Sequence, residues 1–205
     1  MSGQYDFWLL DLDGTIVDVD QRYVREVMKQ VGAEVGVSFD AAEAHALWYE
    51  AEPSRAAVLE AHGIDESTFW RAYRRVENPS ARAAATYVYE DAASTLPSLD
   101  RPVGVVTHCQ PRLVEAVFDR TDIGEWFDAV VCCGEEIGWK PDPAPVERAV
   151  GDLGVTGGHG LLVGDALSDV QAAKNAGLEG VLVDRTGTTE APSTRRIESL
   201  TALRA

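Results

Sequence analysis

Two aspartates near the start of the chain have the residue type and spacing for metal or phosphoryl chemistry. Asp11 directly follows the apolar run 7–10, Asp13 comes two residues later, and Gly14 then allows the chain to turn sharply. Two carboxylates this close repel each other unless they bind a cation or share a proton. An acidic turn after a strand is also common in any α/β protein. The rest of the sequence has to separate a site from an ordinary turn.

Polar side chains also follow three later apolar segments of strand length. In chain order they are Thr107, Lys140, Asp165 and Asp169. Singly, a threonine could cap the next helix, a loop lysine could be solvated, and two acids could open a helix. Together with Asp11 and Asp13 they place carboxylates, a hydroxyl and a lysine after four strands. Phosphate ester cleavage needs a nucleophile, a cation and a proton donor, and oxygen ligands suit Mg²⁺, so the set predicts phosphoryl chemistry.

The elements that would position these residues alternate regularly in the second half of the chain. Strands are predicted at 101–107, 129–133, 159–164 and 180–183, and helices at 111–119, 143–153, 168–176 and 193–203. Alternating strands and helices predict an α/β fold with a Rossmann-like parallel sheet. In such sheets ligands bind beyond the carboxyl ends of the strands, which is where the polar residues fall.

Between the first strand and this alternating half, the sequence predicts helices alone. Apolar residues recur at helical spacing from residue 24, with Gly32 as a stop. Further helices are predicted at 41–50, 54–62, 67–77 and 80–97. A helical stretch of this length exceeds an ordinary connection, so we predict an α-helical cap at 18–79, inserted into a core formed by 1–17 and 80–205.

The composition narrows the class of protein. A chain of 205 residues with a net charge of -16 and a pI near 4.5 lacks the basic face that general nucleic-acid binding needs. Its apolar runs are far shorter than the roughly 20 residues that span a bilayer, and no secretory signal is apparent, so we expect a cytoplasmic protein with no membrane partner. Abundant acids with only three lysines favour a halophilic surface over an ordinary acidic one. An odd cysteine count predicts neither a disulfide framework nor a zinc site.

Four motifs in order resemble the haloacid dehalogenase (HAD) superfamily, in its branch with an α-helical cap after the first strand. The run Asp11-Leu12-Asp13-Gly14-Thr15 is similar to the family's DxDGT motif, and Thr107 to its second motif. Lys140-Pro141 is similar to the third motif, and the run 164–169 to the fourth, GDxxxD. The run 164–177 further resembles phosphoglycolate-phosphatase-like members.

The resemblance implies a role for each motif residue. Asp11 would attack phosphorus and become an aspartyl-phosphate, while Asp13 would protonate the leaving oxygen and then activate water. Thr107 and Lys140 would hold the phosphoryl group. Mg²⁺ would be bound by the Asp11 side chain, the Asp13 backbone carbonyl and Asp165, with Asp169 in support. Dehalogenases of the family lack the second acid, so its presence favours phosphatases and phosphomutases over dehalogenases.

The sequence leaves open the type of reaction, the substrate, the oligomeric state and the role of the aromatic residues in the helical segment. A β-phosphoglucomutase-like phosphomutase fits the same motifs, and a non-catalytic phosphoacceptor or binding protein is an alternative of a different class. We expect a small phosphorylated substrate and a monomer or homodimer. The cap aromatic residues are more typical of a hydrophobic core than of a substrate wall; they are Trp48, Tyr49, Phe69, Trp70 and Tyr73.

Overall fold

The computed structural model describes residues 5–49, 53–155, 158–185, 187 and 194–204. The strands are β1 (Phe7–Leu10), β2 (Val17–Val19), β3 (Thr86–Val88), β4 (Val103–Thr107), β5 (Ala129–Cys132), β6 (Gly160–Gly164), β7 (Glu179–Val183) and β8 (Arg195–Ile197). Within the described residues, six of them form a parallel sheet in the order β5-β4-β1-β6-β7-β8. The predicted α/β, Rossmann-like sheet is confirmed.

Helices pack on the sheet and form a separate layer beyond one of its edges. They are α1 (Gln21–Val35), α2 (Ala41–Tyr49), α3 (Arg55–Ala61), α4 (Glu66–Val76), α5 (Pro79–Ala85), α6 (Glu90–Thr95), α7 (Pro111–Thr121), α8 (Ala144–Asp152) and α9 (Leu167–Asn175). Short 3₁₀ helices lie at Leu96–Ser98, Gly124–Trp126 and Leu200–Arg204. In the described part of the chain, no helix combines the length and the apolar character needed to cross a membrane.

Strand β1 lies inside the sheet, between β4 and β6, and is apolar at every position. Its four residues are fully buried, because helices cover both faces of a parallel sheet. Trp8 and Leu10 pack in the cluster on one face, and Phe7 and Leu9 pack in the cluster on the other. This burial fixes the position at which β1 ends, and therefore the position of the acidic turn that follows.

Helices α1 to α4 have a hydrophobic core of their own. Val24, Met28, Leu47, Leu59 and Phe69 are buried in this cluster, which is distinct from the clusters on the two sheet faces. The predicted pieces at 41–50, 54–62 and 67–77 correspond to α2, α3 and α4 within a residue or two, and residue 50 lies outside the described part. The division into a cap at 18–79 and a core at 1–17 and 80–205 remains a prediction.

A short antiparallel pair, β2 with β3, was predicted as helix, and that prediction is wrong. Val17 pairs with Val88 and Val19 with Thr86, so the pair joins the two chain segments that connect the helical layer to the sheet. The sequence suggested one continuous helix at 80–97, but α5 ends at Ala85. β-branched residues favour extended backbone, and a three-residue strand is too short to show its alternation in the sequence.

The chain terminus also differs from its prediction. A helix was predicted at 193–203, whereas β8 adds an edge strand beside β7 and a 3₁₀ helix follows; residue 193 lies outside the described part. Arg195 pairs with Glu179, and Ile197 is buried. Contacts with the sheet edge, which are distant in sequence, override the local helical tendency.

Gly32 does not end the first helix as predicted. Helix α1 continues to Val35 and ends at Gly36, whose φ of 80° favours glycine. A Cβ atom at Gly32 would lie 2.8 Å from the carbonyl oxygen of Val37. The glycine therefore serves the close return of the chain onto the helix rather than the helix end.

Candidate active site

Three carboxylates converge at the carboxyl edge of the sheet. Asp11 follows β1, Asp165 follows β6, and Asp169 lies in the first turn of α9. One carboxylate oxygen of each lies within 4.8 Å of the others. The adjacent strands β1 and β6 end side by side, which brings Asp11 and Asp165, 154 positions apart in the sequence, into one group. Three of the four predicted metal-binding residues thus lie together.

Lys140 extends from the loop after β5 into this acidic group. Its Nζ atom lies 2.8 Å from Asp11 Oδ1 and 2.6 Å from Asp169 Oδ1, and it donates a hydrogen bond to the carbonyl oxygen of Val106 at 2.8 Å. Burial alone would lower the pKa of Lys140, but the two carboxylates outweigh it and raise that pKa. The lysine is therefore a fixed cation at the base of the site.

One lysine does not neutralise three acids, of which Asp11 and Asp169 are buried and Asp165 is half-buried. Burial raises the pKa of Asp11 against the opposing effect of Lys140, and Asp169 raises it further. Burial, Asp11 and Asp169 together raise the pKa of Asp165 well above its usual range. A divalent cation among these oxygens would offset the repulsion, and an all-carboxylate donor set suits Mg²⁺. The residues present therefore fit a magnesium site.

Two glycines allow the acids to approach one another. Gly14 has a φ of 77°, and a Cβ atom there would lie 2.1 Å from Asp165 Oδ2. A Cβ atom at Gly164 would lie 2.2 Å from Cγ of Asp169. The glycines at these motif positions are needed for space, and Gly14 also for its backbone conformation.

The Asp13 side chain is bound by an arginine rather than by Lys140. Its Oδ1 atom accepts a hydrogen bond from Nη2 of Arg82, a fully buried arginine on α5. The predicted metal ligand of Asp13 is its backbone carbonyl oxygen, so the contact of its side chain with Arg82 does not test that prediction. Sequence analysis missed Arg82. The available signal was that Arg82 is a single arginine among the small residues of 79–85. A cation that is buried in such a helix needs an oppositely charged partner.

Thr107 ends β4 and is buried beside the site. Its Oγ1 atom accepts the backbone N–H of Cys109 at 3.0 Å, which is a local turn and not a helix cap, because α7 begins only at Pro111 and has no side-chain capping hydrogen bond. The side chain is not among those that line the cavity. Its assignment to the phosphoryl group remains a prediction.

His108 links the second and third motifs. Its Nε2 atom accepts the backbone N–H of Lys140 at 3.0 Å, and its ring contacts Trp139 edge-on at 5.6 Å. Burial, with Lys140 and Arg55 nearby, lowers the pKa of His108 to about 3. The imidazole is therefore neutral at physiological pH and holds the Lys140 loop as a hydrogen-bond acceptor.

A cavity of about 120 Å³ lies between the acids and the helical layer. Trp48, Tyr49, Trp70 and Tyr73 line it, and the same four residues are half-buried and pack against the core of helices α1 to α4, in which Phe69 is fully buried. The predicted core role of these aromatic residues is therefore confirmed, and four of them also form part of the cavity wall. The polar residues that line the cavity from the helical layer are Arg55, Arg74, Glu77 and Arg82.

Arg185, which follows β7, holds the acidic turn from the outside. Its guanidinium donates to the carbonyl oxygens of Gly14 at 3.0 Å and Thr15 at 2.9 Å, and it forms an ion pair with Asp91 at 3.0 Å. The ring of Tyr89 stacks on it at 4.0 Å. Sequence analysis missed this residue, since nothing local links position 185 to the turn.

Comparisons with known proteins agree with this geometry. Residues 8–183 match the family described as haloacid dehalogenase-like hydrolase. A phosphoglycolate phosphatase of Pectobacterium atrosepticum is 26% identical over 185 residues, with 83% of this chain and 76% of that protein covered. The pyrophosphatase PpaX of Bacillus velezensis is 28% identical over 170 residues, with 82% and 78% covered. A crystal structure from Lactobacillus plantarum superposes with a TM-score of 0.80 at 22% identity over 98% of each chain, which supports the fold.

Proposed function

Because the chain belongs to the haloacid dehalogenase-like hydrolase family, we propose that it is a Mg²⁺-dependent phosphatase that acts through an aspartyl-phosphate. The enzyme class follows from its relatives, which are phosphatases of this family and make the chain a phosphoric monoester hydrolase. The observation that carries the mechanism is the convergence of Asp11, Asp165 and Asp169 around Lys140 at the sheet edge.

In this proposal Asp11 is the nucleophile. Its carboxylate oxygen attacks phosphorus, the bond from phosphorus to the leaving oxygen breaks, and Asp13 gives its proton to that oxygen. Water then attacks the aspartyl-phosphate, Asp13 takes a proton from that water, and the bond between phosphorus and Asp11 breaks. Inorganic phosphate leaves with Asp11 ionised and Asp13 protonated again, so atoms and protons balance.

The cation and the lysine supply charge rather than bonds. Asp11, Asp165 and the backbone carbonyl of Asp13 would hold Mg²⁺, with Asp169 in support. When bound, Mg²⁺ would neutralise charge on the phosphoryl oxygens. Lys140 would contact the same group, and we retain Thr107 as a second proposed phosphoryl ligand. Positioning and charge compensation of this kind account for most of the acceleration in phosphoryl transfer.

The Asp11→Asn variant tests the nucleophile. We expect it to abolish phosphate release from p-nitrophenyl phosphate while the thermal unfolding transition persists, because an amide is a poor nucleophile. The matched control is Asp152→Asn, which removes an exposed carboxylate paired with Arg148 on α8. Near wild-type turnover by Asp11→Asn would contradict the mechanism. Chelation with EDTA should stop the wild-type reaction, and added Mg²⁺ should restore it.

We propose a small phosphorylated metabolite as the substrate. A cavity of about 120 Å³ suits a compact leaving group, and Arg55 and Arg74 on its helical side suit an anionic one. Phosphoglycolate and pyrophosphate, the compounds for which two relatives are named, are the first to test. Release of free phosphate without a sugar bisphosphate would favour hydrolysis over the phosphomutase alternative.

The setting of the reaction is part of the proposal. We propose that the protein works in the cytoplasm, as a monomer or homodimer, and that the helical segment 18–79 acts as a cap. The net charge of -16 supports adaptation to high salt, where screening reduces repulsion within the protein and between the protein and an anionic substrate.

A further inference from the structure

Arg82 connects the helical layer to the acidic turn through a single contact. It lies on α5, the last helix before β3, and its side chain is 2% exposed. Its Nη2 atom donates to Asp13 Oδ1. Asp13 itself is 33% exposed and lines the cavity. A buried guanidinium is thus attached to an acid of the turn that lines the cavity.

The other side of the guanidinium faces a second buried carboxylate. Glu77 is buried, its Oε1 atom lies 3.9 Å from Arg82 Nη1, and it accepts the hydroxyl of Tyr23 at 3.1 Å. The guanidinium carbon lies 5.3 Å from the Trp48 ring centroid and 5.9 Å from that of Tyr23. Two carboxylates and two aromatic faces offset the cost of burying this cation, and they leave it one position.

The contact does not satisfy either partner. Within the described residues, Nε of Arg82 has no hydrogen-bond partner although it is buried, and Oδ2 of Asp13 accepts no hydrogen bond. A buried donor without an acceptor is unfavourable, and a purely stabilising ion pair would tend to avoid it. One oxygen of Asp13 is therefore fixed and the other remains available beside the cavity.

We propose that Arg82 is a positioning residue for the acid/base step: it binds Oδ1 of Asp13 and thereby aims Oδ2 at the leaving oxygen. This inference rests on the proposed function. Loss of Arg82 frees the carboxyl group to rotate, so proton transfer loses its geometry while the attack by Asp11 does not.

The test compares two substrates that differ in their need for a proton. The alkoxide released from β-glycerophosphate must be protonated, whereas p-nitrophenolate leaves readily without a proton. Hydrolysis of the aspartyl-phosphate is common to both substrates and also uses Asp13, so the first half-reaction is followed alone, as the alcohol or phenolate released in a single turnover with enzyme in excess. We expect Arg82→Gln to lower this single-turnover rate by about 10- to 100-fold for β-glycerophosphate and much less for p-nitrophenyl phosphate. The control Arg148→Gln removes an exposed arginine and should leave both substrates unaffected.

A double-mutant cycle shows whether Arg82 acts through Asp13. We expect Asp13→Asn to show the same preference for p-nitrophenyl phosphate, and Arg82→Gln to add little in that background, because both changes remove one function. Additive losses, equal losses of the single-turnover rate on both substrates, or a rise in KM with an unchanged single-turnover rate would each overturn the proposal.

Two further variants test whether any loss of activity comes from misfolding. Thermal unfolding shows whether Arg82→Gln is folded, and if it is not, the double variant Arg82→Gln/Glu77→Gln removes both buried charges and carries the same substrate comparison. Arg82→Lys keeps the charge without the planar geometry, and we expect it to restore part of the β-glycerophosphate rate.

If wild type is inactive, or Asp11→Asn is active, the proposed function fails. If those results hold and the substrate preference is absent, the role of Arg82 alone fails.

Discussion

At the scale of single residues, the charges at the base of the cavity affect stability as well as catalysis. Asp11, Asp165 and Asp169 share one lysine, and the pKa of Asp165 is raised by burial and by the other two acids. A raised carboxyl pKa means that the ionised form destabilises the fold. Its contribution is favourable below the unfolded pKa of about 3.9 and is lost as the pH rises through the folded value. The three acids therefore lower the stability of the metal-free protein while they provide ligands for a cation.

Asp165→Asn should make the metal-free protein more stable at neutral pH. The variant removes one of three crowded charges, so we expect a higher melting temperature than wild type in EDTA, by about 2–4 °C for each kcal/mol relieved. The difference should shrink as the pH is lowered toward about 4, because the wild-type carboxyl is then protonated as well. Thermal melts across this pH range measure it.

Magnesium should reverse the order of the melting temperatures of wild type and Asp165→Asn. We expect Mg²⁺ to raise the melting temperature of wild type more than that of Asp165→Asn, because the variant lacks a ligand. Asp152→Asn, with an exposed carboxylate, should show neither effect. A lower melting temperature for Asp165→Asn than for wild type in EDTA at neutral pH would show that its charge does not destabilise the site.

At the scale of elements, Arg185 joins parts of the chain that meet only in the folded protein. It binds the carbonyl oxygens of the turn after β1 and pairs with Asp91 of α6. Asp91 in turn accepts the backbone N–H of Leu200, in the terminal 3₁₀ helix, at 2.8 Å. The acidic turn is thereby supported from β7, α6 and the end of the chain.

Arg185→Gln should loosen this turn. Carbonyl oxygens at two positions lose a charged donor, so we expect a loss of about 1–3 kcal/mol in the free energy of unfolding. We expect kcat to fall about 10-fold because Asp11 and Asp13 lose their fixed spacing. Denaturant unfolding and steady-state kinetics measure the two effects. An unchanged kcat in a destabilised variant would limit Arg185 to a structural role.

The sequence predicted those elements whose signal is local. The apolar run 7–10 and the motif residues after it gave β1 and the acidic group, because burial and charge leave a pattern along the chain. The strands β2, β3 and β8 were missed, since three residues each are stabilised by partners distant in sequence. Arg82 and Arg185 were missed for the same reason. An arginine on a helix or in a loop shows no partner until the chain is folded.

At the scale of the whole molecule, the protein has a net charge of -16, although its proposed substrate is an anion. Like charges on the surface repel one another and repel a phosphorylated substrate at low ionic strength. The arginines lining the cavity from the helical layer act over a short range only. The charge of the protein therefore predicts a dependence on salt for both stability and substrate capture.

Added KCl should raise the melting temperature and lower KM for an anionic substrate. Screening shortens the range of repulsion to about 3 Å at molar salt, so both effects should level off there. Thermal melts and kinetics from low to molar KCl measure them, with Mg²⁺ held constant. Equal stability and equal activity without salt would contradict the halophilic assignment.

The distribution of tryptophans gives the protein a built-in optical reporter. Of five tryptophans in the chain, Trp48, Trp70 and Trp139 line the cavity, while Trp8 is buried in the sheet. Indole emission responds to nearby charge and to exclusion of water, and both change when a phosphorylated compound enters a space lined by arginines. Filling of the site is thus coupled to the intrinsic fluorescence of the enzyme, so a ligand can be followed without a label and without turnover.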